Sequence, residues 1–303
     1  MKRKFRPGTF WSLVVIHLLA LVGIVYWFAH GFMWASWLTM ATMCVLSMIG
    51  ISMGYHRLLT HESFVSKLWL ARLLAVKSAL AIQGSAKDWT FWHSLHHAFS
   101  DREGDPHRPT EYPGLRGFLW AHCAWTWHEV LVPAGYRREP FEARFSPDKV
   151  KVEVIAWQTR HYWKFAVLGI AIPSFLVCGP VGMIAYGGAG GYLLGAFEGM
   201  FLAGFVRLVL TWHATWSVNS IAHIFGREVE ERWRKVKTTA RNNWFVNALG
   251  WFVGEGNHGN HHNYPKCAFL GWSRWQIDIC KPLILLAEKT GQVRNVNYGP
   301  LEH

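Results

Sequence analysis

Two stretches of this 303-residue chain are almost free of charge, and they constrain its fold more than any other feature. From Pro7 to Tyr55, 49 residues, there is no Lys, Arg, Asp or Glu; from Phe165 to Val206, 42 residues, there is only Glu198. At 1.5 Å rise per residue each stretch reaches about 60–70 Å as helix, enough to cross a hydrocarbon core of roughly 30 Å twice. The pattern predicts an all-α chain with four spans, near 10–30, 34–54, 165–187 and 191–210. With 51% hydrophobic and 17% charged residues, the composition excludes an ordinary soluble domain.

The net charge of +12 would suggest nucleic acid in a soluble protein, but its distribution argues for topology instead. Of the 31 Lys and Arg, 4 lie in residues 1–6, 15 in 57–164 and 12 in 207–303, and none at the two hairpin tips, His30-Gly31 and Gly187–Gly191. An even number of spans puts the three basic segments on one face, which the positive-inside rule makes cytoplasmic. The expectation is therefore a multi-pass protein with both termini cytoplasmic, in a bacterial inner membrane, with lipid as a partner and nucleic acid excluded. A signal peptide over Met1 to about Phe32 is the alternative; its apolar run is too long and no small-residue cleavage site follows. Five cysteines without a CxxC pair imply no disulfide framework and fit a reduced compartment.

No linker or repeat divides the chain, so residues 1–303 read as one domain, with segments 1–9, 55–164 and 211–303 forming a cytoplasmic helical cap. Segment 68–83 is long enough for a helix and too short to span. Residues 115–132, with Trp120, Trp125 and Trp127, predict a second interfacial helix.

Chemistry is concentrated in histidine. His93-Ser94-Leu95-His96-His97 and His258-Gly259-Asn260-His261-His262 place three imidazoles at i, i+3 and i+4, on one face of a helix. His56 and His61 begin where the second span ends. An i, i+5 pair stands about 140° apart on a regular helix, so these two converge only if the span unwinds or turns there. A thiolate-free imidazole site suits Fe, Zn, Cu or Ni. His17, His30, His122, His128, His161, His213 and His303 lack a partner at ligand spacing and read as ordinary hydrogen-bonded residues. His107, in Asp105-Pro106-His107, is intermediate.

The order HxxxxH, HxxHH, HxxHH, with two spans before the third box, resembles the integral-membrane fatty acid desaturases, and most the acyl-CoA, delta-9 (stearoyl-CoA type) branch. Gln83 and Asp88-Trp89, Gly104–His107, Asn219–His223 and Gly254-Glu255-Gly256 support the resemblance, which covers about residues 35–265. The family implies a non-haem di-iron centre on His56, His61, His93, His96, His97, His223, His258, His261 and His262, with Asn219 reaching metal through a water. His223 would be missed from clustering alone. The family also implies that Gln83, Trp89 and Thr215 frame a bend in an acyl tunnel, and that residues eight and twelve before the first histidine, Met48 and Cys44, meet the methyl end of the substrate.

An unactivated methylene has no acidic proton, so the resemblance implies O₂ as co-substrate and two Fe as cofactor, removing two hydrogens to leave a cis double bond. The chain shows no cytochrome b5 domain after the last box, so the expected partners are fatty acyl-CoA or another acyl carrier and a separate electron donor of ferredoxin, rubredoxin or cytochrome b5 type with its reductase. Ser94 stands where the family usually has Arg. Gly84, Phe91 and Trp92 stand where the animal enzymes meet the CoA headgroup, which leaves an acyl-lipid desaturase as an alternative. A lipid hydroxylase on the same metal chemistry is a second alternative. A metal transporter is disfavoured because every clustered histidine lies at or beyond a span end.

Overall fold

The computed structural model describes residues 3–133, Tyr136 and 149–301 and is almost entirely helical. Three helical runs are long and apolar enough to cross a membrane: Pro7–His30, Trp34–Thr60 and Val150–His223. The first is α1 (Pro7–His30). The second is α2 (Trp34–Ile49) continued as a π-helix over Gly50–Thr60. The third, 74 residues long, is a hairpin. Its first limb is α6 (Lys149–Ala171) extended through short π and α segments to Gly187, and its second is α7 (Gly188–Glu198), a π segment Gly199–Val206 and α8 (Arg207–Ser220). The chain reverses at Gly187 and Gly188, whose φ of +86° and +61° lie where a side chain would be strained. Four apolar rods result, and α6 begins well before residue 165 because the mixed polar segment 149–164 continues the same helix.

On α1 only Ala20 and Gly23 are buried, while Trp11, Val15, Leu18, Val25 and Phe28 stand exposed, the last at 76%. An apolar surface this continuous belongs against lipid. Inside the bundle, Glu198 and Arg207 are satisfied locally. Glu198 is buried and accepts from Met33 N–H (2.9 Å), Ser36 Oγ (3.1 Å) and Tyr186 Oη (2.7 Å), tying α7 to the turn between α1 and α2. It is a pin at the end of the bundle. The buried Arg207 guanidinium donates to the carbonyls of Ala203, Gly169 and Leu80.

The cap packs on the π-helix. α3 (Leu68–Ala79) crosses it so closely that a Cβ on Gly54 would lie 2.6 Å from Ser78 Oγ, which itself donates to Gly50 O at 2.7 Å. Tyr55, Leu59, Phe64, Leu74, Phe269 and Ile284 form the main core between these elements and the C-terminal segment. Arg57 fixes that segment by donating to Asp278 Oδ1 (3.1 Å), Val253 O (2.7 Å) and Ala268 O (3.0 Å). A short antiparallel pair, β1 (Val65–Ser66) with β2 (Val293–Arg294), closes the edge with Val65 opposite Arg294.

The helix expected over 115–132 is shorter. It runs as α5 (Gly114–His122) and ends in a 3₁₀ turn, Ala124–Trp127. The N-terminal chain explains the difference: Arg6 N–H donates to Trp127 O and Glu129 N–H to Lys4 O, both at 2.8 Å, which draws residues 127–129 into extended pairing. The short helices α9 (Trp244–Leu249), α10 (His258–Asn263) and α11 (Cys280–Lys289) complete the cap after α4 (Ala86–Phe99) and α5. All five cysteines are unpaired, as their spacing implies.

Candidate metal centre

The convergence of His56 and His61 comes from the π-helix. Hydrogen bonding from i to i+5 brings the pair to one side, with His61 N–H donating to His56 O at 3.0 Å and the two rings 4.9 Å apart. The other boxes sit on regular helix. α4 is capped by Ser85, whose Oγ accepts from Asp88 N–H, and it aligns His93, His96 and His97. α10 carries His258, His261 and His262. A 3₁₀ turn at Ile221–His223, after α8, swings His223 toward them.

Two imidazole clusters form. His56, His61, His93 and His261 make one, and His96, His223, His258 and His262 the other; within each, ligating atoms lie within 4.8 Å of one another. His97 lies between them, its Nε2 2.8 Å from that of His261 and its ring 4.7 Å from the ring of His262. Facing Nε2 pairs recur at 2.9–3.1 Å: His61 with His93, His56 with His261, His96 with His262, and His258 with both His223 and His262. A cation that holds imidazole nitrogens at about 2.1 Å sets adjacent nitrogens roughly 3 Å apart, so the donor set fits a metal ion in each cluster.

Behind the rings stand carboxylates. His56 Nδ1–H donates to Glu255 (2.8 Å), His96 Nδ1–H to Asp105 (3.0 Å), and His223 Nδ1 meets Thr239 Oγ1 (2.9 Å) and Asp101 (3.4 Å). Each Nδ1–H engaged in this way leaves Nε2 free to ligate, and the carboxylate raises its basicity. Burial and the neighbouring rings hold His93, His97, His258, His261 and His262 well below the ordinary histidine pKa, so they are neutral donors at pH 7. Asp105 is held low chiefly by His96, against the opposing effect of its own burial. His107 packs on the His96 ring at 4.3 Å and is pushed to about 3 by burial. With His96 and Asp105 it makes a third, overlapping group at the edge of the second cluster.

A cavity of about 890 Å³ reaches the centre beside His93, His107 and Asn219. Gln83, Trp89 and Thr215 line it as well, and Gln83 Nε2 donates to Thr215 Oγ1 at 2.8 Å across it. The structure does not bring Met48 or Cys44 to this cavity. Both are buried, Met48 in the cap core and Cys44 with Ala20, Met40 and Leu202 between rods. The resemblance places them by a gap-free count along the sequence, which carries no information on which side of the second run faces the cavity.

The sequence reading passed over Asp101 and Thr239, which no box spacing marks. It also treated His17, His122 and His213 as separate. They form a chain: His17 Nε2 to His213 Nε2 at 3.2 Å, His213 Nδ1 to His122 Nε2 at 2.9 Å, and His122 Nδ1 to Ser220 Oγ at 2.9 Å.

Long apolar helices whose ends gather paired polyhistidine clusters beside a cavity define a class of membrane-type scaffold with a candidate metal centre. The chain belongs to the fatty acid desaturase family, whose model matches residues 32–282. It is 33% identical over 290 residues to the sn-2 palmitoyl-lipid 9-desaturase of Nostoc sp. (94% of this chain, 88% of the relative). It is 34% identical to the hex-5-enoyl-[acyl-carrier protein] acetylenase of Moorena producens (84% and 74%) and 31% identical to the delta-9 acyl-lipid desaturase 2 of Arabidopsis thaliana (93% and 79%). It is thus a fatty acid desaturase, an oxidoreductase of lipid metabolism.

Proposed function

We propose that this chain is an O₂-dependent di-iron desaturase that places a cis double bond at C9 of a saturated acyl chain. The observation that carries the reading is the pair of converging imidazole clusters, each backed by carboxylates, at the wall of a chain-sized cavity. His56, His61, His93, His97 and His261 would hold one iron. His96, His223, His258 and His262 would hold the other, with Asn219 at the cavity edge through a water. A di-iron centre held by these residues would supply, with O₂ and two electrons, the oxidising power that an unactivated methylene requires.

The chain's own residues do the placing. Glu255, Asp105 and Asp101 orient His56, His96 and His223 through their Nδ1–H groups. The Gln83–Thr215 hydrogen bond and Trp89, stacked on His93 at 4.9 Å, shape the wall next to the centre, so that one C–C bond is presented there. Burial of the rings keeps bulk water away. Electrons come from a separate donor protein and its reductase. Four spans with both termini and the centre on the cytoplasmic face agree with the four apolar rods and the basic segments between them; acyl-CoA and lipid-bound chains both suit the chemistry.

The test is expression in a host with a competent electron donor, followed by gas chromatography of total fatty acids with double-bond location. A new C9 monounsaturated product supports the reading. A product heavier by one oxygen would make the enzyme a hydroxylase.

A further inference from the structure

The cavity is not closed against the bilayer. It lies between α1 and α6, with α8 beneath it, and two stripes at helical spacing face it: Thr9, Ser12, Leu13 and Ile16 on α1, and Thr159, Trp163, Val167 and Ile170 on α6. Trp163 and Val167 line the cavity and are also 70% and 61% exposed, and Ser12 is exposed on the facing helix. A residue that is both lining and exposed marks an opening. These residues belong to the apolar runs whose remaining outward faces, Val15 and Leu18 on α1 and Leu168 on α6, form the lipid-facing surface of the bundle. Over Leu13, Ile16, Val167 and Ile170, which lie within the uncharged stretches, the opening is therefore continuous with hydrocarbon, while Thr159 and Trp163, beside Arg160 and Lys164, lie at its interfacial mouth. From Arg6 to Ile16 the slot descends about 15 Å along α1, and it passes His93 and Asn219 on the side of the metal centre.

Charge on the described lining of the cavity is sparse. Among the described residues that line the cavity, Arg6 is the one Lys or Arg and Asp88 the one carboxylate. Gly84 and Trp92 line the wall, and Phe91 is buried in α4. A CoA group carries several phosphate charges and would need a basic cradle; a chain already in the bilayer needs only an apolar slit.

We infer that the slot between α1 and α6 is a lateral portal through which the acyl chain of a bilayer glycerolipid, with its headgroup still at the interface, slides to the metal centre. This rests on the desaturase reading and names its substrate class. Val167 and Ser12 form the two edges of the portal and decide whether a chain passes.

The test uses iron-loaded, full-length protein, supplied with O₂ and a reduced ferredoxin-type donor with its reductase, in dioleoyl phosphatidylcholine vesicles containing a phosphatidylcholine with a mid-chain diazirine. Photolabelling of the wild type is expected within residues 9–16 and 159–170. Val167→Trp should lower that label and the desaturation of dipalmitoyl phosphatidylcholine at least about tenfold, while Leu168→Trp, exposed on the same helix but off the cavity, leaves both unchanged. Ser12→Trp, with Leu18→Trp as its control, repeats the measurement from the opposite edge should Val167→Trp fail to fold. Equal labelling in the plugged and control variants overturns the portal. So does conversion of palmitoyl-CoA with lipid-bound palmitate untouched. If neither substrate is converted by the wild type, the desaturase reading fails, and the labelling still decides the portal on its own.

Discussion

Asp105→Asn and Glu255→Gln should address the two metals separately. Asp105 is buried and accepts from His96 Nδ1 (3.0 Å), His107 N–H (3.1 Å) and Asp101 N–H (3.1 Å). The amide keeps one oxygen for His96 and His107 but turns an NH₂ toward Asp101 N–H, leaving a buried donor unsatisfied at a cost of about 1–3 kcal/mol. It also removes the charge that raises the basicity of His96. Loss of such a partner weakens metal affinity by about 10- to 100-fold, or roughly 1.4–2.8 kcal/mol. Glu255→Gln does the same to His56, while Ser52, which donates to Glu255 at 2.5 Å, is retained. Iron counted by mass spectrometry against a graded chelator should fall from two toward one per chain in each single variant and toward none in the double variant, with helical content by circular dichroism preserved. Two irons retained in both single variants, at wild-type chelator resistance, would refute the carboxylate–histidine reasoning.

His97→Ala, at the seam between the clusters, should reduce iron in both sites and abolish activity with membrane insertion intact; iron lost from one site alone would assign His97 to that cluster only. For pH, the sign follows from the depressed histidines. The unfolded chain takes protons below about 6.5 that the folded state refuses, so stability is flat above pH 7 and falls as pH drops. At pH 5 each such imidazole costs about 2 kcal/mol. Asp105 and Asp101, held low, contribute down past pH 4, so iron release and unfolding followed by fluorescence should set in between pH 6.5 and 5. Met48→Ala should leave the ratio of C18 to C16 product unchanged, because Met48 is off the cavity. Ile170→Ala, at its deep end on α6, should raise that ratio; the reverse result would return the methyl end to the second span.

The long apolar helical runs were legible because absence of charge over more than forty residues has few physical solutions. The HxxHH boxes were legible because helix spacing alone fixes their convergence. His56 and His61 were half legible: the geometry demanded a departure from regular helix, and the π-helix over Gly50–Thr60 meets that demand. Met48 and Cys44 precede that stretch, on regular helix, and which side of it they occupy relative to the cavity is set by packing between helices, which a count along the sequence does not show. His223 stands alone in sequence and reaches the centre through a 3₁₀ turn, which no periodicity announces. Asp101 and Glu255 act from behind the rings, across 122 residues and 199 residues of chain from His223 and His56 in turn, measured along the sequence numbers. Contacts of that range are tertiary.

Charge balance gives these carboxylates a further reason to exist. Neutral imidazoles bring no compensation for a metal ion, and their burial leaves little solvent. Under the proposed occupancy two divalent cations add four positive charges at a place where most ligand rings are buried. Asp101, Asp105 and Glu255 supply three negative charges, each one hydrogen-bond step behind a ligand, while Asp278 is committed to Arg57 outside the centre. Uncompensated charge in a low-dielectric site is expensive, and distributing the counter-charge behind the rings lowers that cost without occupying a coordination position. Asn219, one helical turn before His223, lines the cavity on the side from which an acyl chain would approach. A carboxylate placed directly on the metals would stabilise the ions equally well but would close the side from which the acyl chain must approach.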